Sequence, residues 1–297
     1  MQETQNILTL QSPENALAVI FASPHSGPIY PEDFGYSCGF DILRMIEDRY
    51  VDDLFSQAPA FGAILLTALF PRSYIDANRA IDDIDESLIK GKWPHHIHGA
   101  ANPSIRSDSG IGLISRLARP GTPIYNRALS AEEIMARVKN YYEPYHNTIR
   151  SELELAHYTY GQFWHINCHS MPSSSAYPKY KTSIIGNTVK PSDIVLGDRD
   201  GQSCSRDFLY MLRDFWQEKG MIVTINDPFK GVELVSRYAQ PTRGKNSLQI
   251  EINRALYMNE DTGEKSNNFE NIKNQCTDMI AHCTNFAQSH LTNLAAD

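Results

Sequence analysis

Five short apolar runs, Ala16–Phe21, Ala63–Phe70, Gln162–Asn167, Met221–Ile225 and Leu248–Ile252, lie along the chain with longer helical patterns between them. Runs of this length with little alternation suit strands covered on both faces, and their regular interruption by helices predicts an α/β layered fold. The expected architecture is a mixed sheet flanked by helices. The helical patterns cover Asp41–Ala58, Ser130 to about His157, Gln202–Lys219 and about Phe269–Leu291. Ser130 followed by Glu133 is a capping-box start, in which each side chain can satisfy a free backbone N–H at the helix entrance. Pro144 should kink the same helix, because proline lacks the N–H and crowds the preceding turn. From Ile81 to Thr122 the periodicity lapses among Trp93-Pro94-His95-His96-Ile97-His98-Gly99, Pro103 and Pro120. This stretch, about 81–122, reads as an excursion over one sheet edge and a candidate substrate lid. With no repeat, low-complexity tract or flexible linker, one domain is expected over 1–297.

The charge balance narrows the partners. Lys and Arg number 27 against 35 Asp and Glu, so 27 − 35 gives −8, with no basic excess to displace counterions from nucleic acid. Neither a signal-peptide pattern nor a run of about 18 apolar residues is present, so a soluble cytoplasmic protein without a membrane partner is expected. Cys38, Cys168, Cys204, Cys276 and Cys283 are odd in number, scattered and free of any CxxC, which predicts reduced thiols and no thiolate metal site.

Ligand sites in open α/β sheets form outside the carboxyl ends of strands, so the polar residues after each apolar run carry the chemistry. His25, in Ser23-Pro24-His25-Ser26-Gly27, follows the first run among small residues that allow close backbone approach. His169, in Asn167-Cys168-His169-Ser170, follows the third, and two histidines at equivalent strand ends suggest more than either alone. Glu251 is the one carboxylate of an apolar strand; burial there raises its pKa toward that of a neutral-pH base, unless it pairs with Arg254. Asn78 and Arg79 end Tyr74-Ile75-Asp76-Ala77-Asn78-Arg79 and can grip a substrate carboxylate, the competing reading being a surface pair of Asp76 with Arg79. A zinc hydrolase needs a third protein ligand, an open position for water and a base. Glu47, Asp48, Asp52 and Asp53 are candidates for the ligand, and spacing does not choose among them.

Taken in order, these motifs resemble the N-formylglutamate amidohydrolases, whose fold is similar to that of the zinc carboxypeptidases. The resemblance covers about His25 to Glu260. It rests on the Pro-His-Ser-Gly turn, Glu47-Asp48-Arg49-Tyr50-Val51, Tyr74 to Arg79, Pro144-Tyr145-His146, Cys168-His169-Ser170-Met171, Leu196-Gly197-Asp198, Phe229-Lys230-Gly231, Gln249-Ile250-Glu251 and Tyr257-Met258. It implies a carboxypeptidase-like (phosphorylase/hydrolase-like) fold and one zinc ion per chain held by His25, Asp48 and His169. Glu251 is implied as the base and proton donor. The same resemblance implies that Asn78 and Arg79 hold the α-carboxylate and that Lys230, Arg237 and Arg243 receive a second carboxylate. His146 matches a family position that could orient substrate or stabilise an oxyanion, or serve as a buried histidine bonded to a backbone carbonyl. Pro28 stands three residues after His25, so the third ligand comes from further along the chain than in the carboxypeptidase His-x-x-Glu motif.

The implied reaction is hydrolysis of the amide of an N-acyl amino acid, N-formyl-L-glutamate foremost. Ser170-Met171-Pro172-Ser173 departs from the Arg-containing continuation of the glutamate-specific members. That departure leaves a deacylase or carboxypeptidase-like hydrolase with another substrate as an alternative, alongside a non-catalytic carboxylate-binding protein. His95, His96 and His98 read as surface or lid residues. Cys168 and His169 form no dyad, because adjacent strand residues point to opposite faces.

Overall fold

The computed structural model describes residues 7–179 and 190–294. Its strands are β1 (Leu8–Gln11), β2 (Val19–Ser23), β3 (Ile64–Ala68), β4 (Leu117–Arg119), β5 (Thr122–Pro123), β6 (Phe163–Met171), β7 (Ile194–Gly197), β8 (Val223–Ile225) and β9 (Lys245–Asn253). Its α-helices are α1 (Phe40–Arg44), α2 (Val51–Leu54), α3 (His95–His98), α4 (Ile105–Asp108), α5 (Ala131–Arg137), α6 (Glu143–Tyr160), α7 (Arg206–Glu218), α8 (Glu233–Tyr238) and α9 (Phe269–Leu294). A mixed sheet runs β1-β3-β2-β6-β9-β7-β8, and β4 pairs β5 in a separate ribbon. β2, β6 and β9 are mutually parallel neighbours, while β7 returns antiparallel to β9. This is the mixed α/β fold expected, a mostly parallel sheet flanked by helices.

Two compact units are distinguishable. One comprises Met1–Thr9, Pro24–Glu47 and Thr67–Ile149; the other comprises Leu10–Ser23, Asp48–Leu66 and Arg150–Asp297. The first is organised around Arg137, whose buried guanidinium lies 4.1 Å from the centroid of the Tyr74 ring and donates to the Tyr74 carbonyl and the Tyr125 hydroxyl. Cation–π contact and directed hydrogen bonds together make a buried arginine tolerable. The second holds the sheet's centre, where every residue of β6 and all but the first of β9 are buried. Their sequences nonetheless alternate, with His165, Asn167 and His169 between Trp164, Ile166 and Cys168, so one buried face is polar.

Several expected boundaries shift. β6 runs on to Met171, so His169 lies within the strand rather than after it. The helix expected over Asp41–Ala58 is divided into α1 and α2, with Tyr50 in the left-handed region at φ 66° immediately before α2. Asp48 therefore sits in an irregular bend between the two. Ser130 caps α5, accepting from the Glu133 amide at 3.1 Å, while the Glu133 carboxylate of the expected capping box accepts from Arg127 and Arg137. The irregularity expected at Pro144 is taken up by a π-helical turn, Val138–Tyr142, just ahead of it. The 81–122 stretch contains α3, α4 and the β4–β5 ribbon. β1, β4, β5 and β7 were not among the runs read in the sequence. No helix among the described residues is long and apolar enough to cross a membrane.

Candidate metal centre

Chain direction dictates where the polar residues gather. β6 and β9 are parallel and in register, with His169 opposite Glu251, Asn167 opposite Gln249 and His165 opposite Ser247. His169 and Glu251 thus occupy one rung near the carboxyl ends of both strands, on the same face of the sheet. Glu251 is buried, and its Oε1 accepts from Gln249 Nε2 at 2.8 Å.

Asp48 is buried in the bend before α2. His169 Nδ1 lies 2.9 Å from its Oδ2, and Arg254 donates to its Oδ1 at 2.9 Å. Arg254 also donates to Ser170 Oγ at 3.1 Å. His25 follows the end of β2 by two residues. Its Nε2 is 2.7 Å from Asp76 Oδ1, both side chains being buried. The turn after His25 needs Gly27, since a Cβ there would overlap the Phe70 carbonyl oxygen. One ligand atom from each of His25, Asp48 and His169 lies within 4.8 Å of the others, and all three residues are buried.

Two imidazoles and one carboxylate form a donor set suited to zinc. The surroundings fit as well: Asp76 fixes one ring nitrogen of His25, as carboxylates commonly do for metal-ligating histidines, and Arg254 holds the second oxygen of Asp48. The other acidic candidates have different partners. Glu47 accepts from Tyr30 Oη and Arg44 Nε, and Asp53 is paired with Lys265 and Lys273. Burial pushes the Asp52 carboxyl upward.

Asp76 is no surface partner of Arg79; it is fully buried and central to its segment. Besides His25 it accepts from Arg72 at 2.8 Å and from the Asn78 amide at 2.8 Å, with Arg79 Nε at 4.0 Å. Burial works to raise its carboxyl, but His25, Arg72 and Arg79 hold it well below the usual range. Asn78 and Arg79 are themselves buried, and Arg79 Nε has no hydrogen-bond partner among the described residues. Burial lowers the Arg79 pKa; Asp76 opposes this, while Arg72 and Arg106 add like charge in the same direction as burial. His146 Nε2 donates to the Ala77 carbonyl at 2.9 Å, and its ring packs on Tyr142 at 4.0 Å between centroids.

Arg237 and Arg243 lie by the amino end of β9, away from the His169–Glu251 rung. Gly197 on β7 is opposite Gln249 and is approached closely by the Lys230 backbone, and the Lys230 ammonium pairs with Asp200 at 2.7 Å. Arg237 lines a pocket of about 360 Å³ with Phe163 and Lys245, the first residues of β6 and β9. Arg243 ends the turn leading into β9, its carbonyl 2.9 Å from His157 Nε2. Six residues of strand, roughly 20 Å, separate that end of β9 from Glu251. The segment before β9 meets its amino end, whereas the histidines gather at the opposite one.

His95 and His98 belong to α3, and His95 is half exposed beside Glu86 at 3.1 Å. The Cys168 thiol is buried and pushed far up by burial, unsuited to nucleophilic work. Asp76 and Arg254 were named from the sequence only as ion-pair residues of Arg79 and Glu251, and Gln249 only within a motif; their bonds to His25, Asp48 and Glu251 were not foreseen. The alternating polar pattern of β9 was a usable signal for Gln249, and none marked the long-range pairing of Arg254 with Asp48.

Residues 17–258 match the family model for N-formylglutamate amidohydrolase. The chain is 27% identical over 218 residues to an N-formylglutamate deformylase of Pseudomonas aeruginosa, covering 72% of this chain and 71% of the relative. A Pseudomonas putida N-formylglutamate deformylase is 26% identical over 216 residues, with the same coverage. Among solved structures, the N-formylglutamate amidohydrolase of Ralstonia eutropha JMP134 superimposes with a TM-score of 0.89 at 38% identity, covering 96% of this chain and 99% of that one.

Proposed function

Because the chain belongs to the N-formylglutamate amidohydrolase family, we propose that it is a zinc-dependent deformylase that converts N-formyl-L-glutamate and water to formate and L-glutamate. The observation that carries the reading is the buried His25–Asp48–His169 group, with Glu251 in register beside His169. His25, Asp48 and His169 would hold the ion, one per chain. Zinc held by such a set supplies Lewis acidity toward a carbonyl and acidifies water.

The protein's own groups do the rest. Glu251 takes a proton from the attacking water and returns it to the departing nitrogen as the C–N bond breaks. Arg79, with unspent donor capacity, and Asn78 grip the α-carboxylate through charge-assisted hydrogen bonds. His146 acts at one remove: its Nε2 proton is committed to the Ala77 carbonyl, which steadies the backbone ahead of Asn78 and Arg79.

The test is a substrate panel on metal-analysed protein. N-formyl-L-glutamate should be turned over with a kcat/KM at least tenfold above N-acetyl-L-glutamate and the N-formyl derivatives of apolar amino acids. Activity confined to another derivative would retain the hydrolase and discard the glutamate assignment. Carboxylate binding without turnover of any derivative would favour a non-catalytic protein.

A further inference from the structure

One rung behind His169 and Glu251, the same two strands carry Asn167 and Gln249, and behind these His165 and Ser247. All six side chains share a face and are buried. Polar groups in such an interior are costly unless bonded, so their pairing is informative. Gln249 Nε2 donates to Glu251 Oε1 at 2.8 Å, and His165 Nδ1 lies 2.7 Å from Ser247 Oγ. Gln249 Oε1 and both amide atoms of Asn167 have no hydrogen-bond partner among the described residues.

The orientation of the Gln249 amide follows from the carboxylate it meets. Turned over, it would set an acceptor oxygen against an acceptor oxygen with no proton between them, so the N–H side faces Glu251 even though Oε1 is left unpartnered. The Glu251 oxygen is thereby given a fixed donor two residues away on its own strand, where the backbone of β9 sets the spacing. Glutamate has three side-chain torsions, and a base serves a reaction only when held within hydrogen-bond reach of its proton.

We propose that Gln249 is a positioning residue for the reaction: its amide fixes the Glu251 carboxylate in one rotamer by donating to Oε1. The inference rests on Glu251 being the base. It assigns Gln249 no contact with substrate or metal, and its effect should pass entirely through Glu251.

The test is a double-mutant cycle with Gln249→Met, which keeps the length of the side chain and removes the donor. Gln249→Leu stands in if the methionine variant fails to fold, as judged by its melting temperature. In otherwise wild-type protein, kcat for N-formyl-L-glutamate should fall about 10- to 100-fold, with KM within about threefold and zinc stoichiometry unchanged. In a Glu251→Gln background the same substitution should change nothing further. Wild-type kcat in Gln249→Met, an equal loss on both backgrounds, or an effect confined to KM would each overturn the inference while leaving the base intact. Full turnover by Glu251→Gln alone would instead overturn the base, and this inference with it.

Discussion

His169 and Glu251 are register partners on the parallel strands β6 and β9, so one backbone ladder sets the spacing between a candidate metal ligand and a candidate base. Replacing the carboxylate with an amide alters proton transfer while sparing the ligand set. Glu251→Gln should therefore keep its zinc, measured by metal analysis, and lose at least about a hundredfold in kcat. Retained turnover would show that another group moves the proton.

Asp76 makes a second testable link, because it bonds His25 Nε2 and neutralises Arg72. Asp76→Asn removes the charge that orients the imidazole. Zinc affinity, measured by competition with a chelator, should fall about 10- to 100-fold. Unchanged affinity would mean that Asp76 serves the arginines alone.

Arg79 presents a buried guanidinium whose Nε has no hydrogen-bond partner among the described residues. If it grips the α-carboxylate, Arg79→Ala should raise KM for N-formyl-L-glutamate about 10- to 100-fold, the size of a lost charge-assisted hydrogen bond. Arg79→Lys should restore little of this, because an ammonium cannot reproduce the fork. On the corresponding α-amide substrate, wild type and variant should perform alike; an equal loss on both would place Arg79 elsewhere in the mechanism.

The strands, the capped start at Ser130 and the two histidines were legible because each is a local signal, a run, a cap or a polar residue beside a run. Asp48 came from the family resemblance and not from spacing, since its selection depends on a bend that breaks the expected helix and on Arg254, 206 residues away, meeting its Oδ1. The places of Arg237 and Arg243 were not legible in the sequence, for a topological reason. Both belong to the segment entering the amino end of β9, and strand direction sets that end apart from Glu251. Burial of Asp76 was likewise hidden, because Asp and Arg three residues apart also describe an ordinary surface pair.

Asp53 ties α2 to the segment entering α9 and to α9 itself through Lys265 and Lys273, the latter at 2.6 Å. Burial acts to raise its carboxyl, but the two ammonium groups prevail and lower it. A depressed carboxyl contributes stability above its unfolded pKa of about 3.9 and loses it as pH falls through the folded value. Asp53→Asn should thus cost under about 1 kcal/mol at pH 7, the pair being partly exposed. The difference from wild type should shrink toward zero near pH 2 to 3. Urea denaturation at both pH values checks this, and an equal deficit at both would assign the effect to packing.

The decisive measurement is formate release from N-formyl-L-glutamate by protein stripped with a chelator and then restored with zinc, with the metal content followed throughout. Activity should disappear with the ion, return as zinc approaches one per chain, and fail to return in His25→Ala, Asp48→Ala or His169→Ala protein. Full activity in metal-free protein, or in any of those three variants at zero zinc content, would contradict a metal centre at His25, Asp48 and His169.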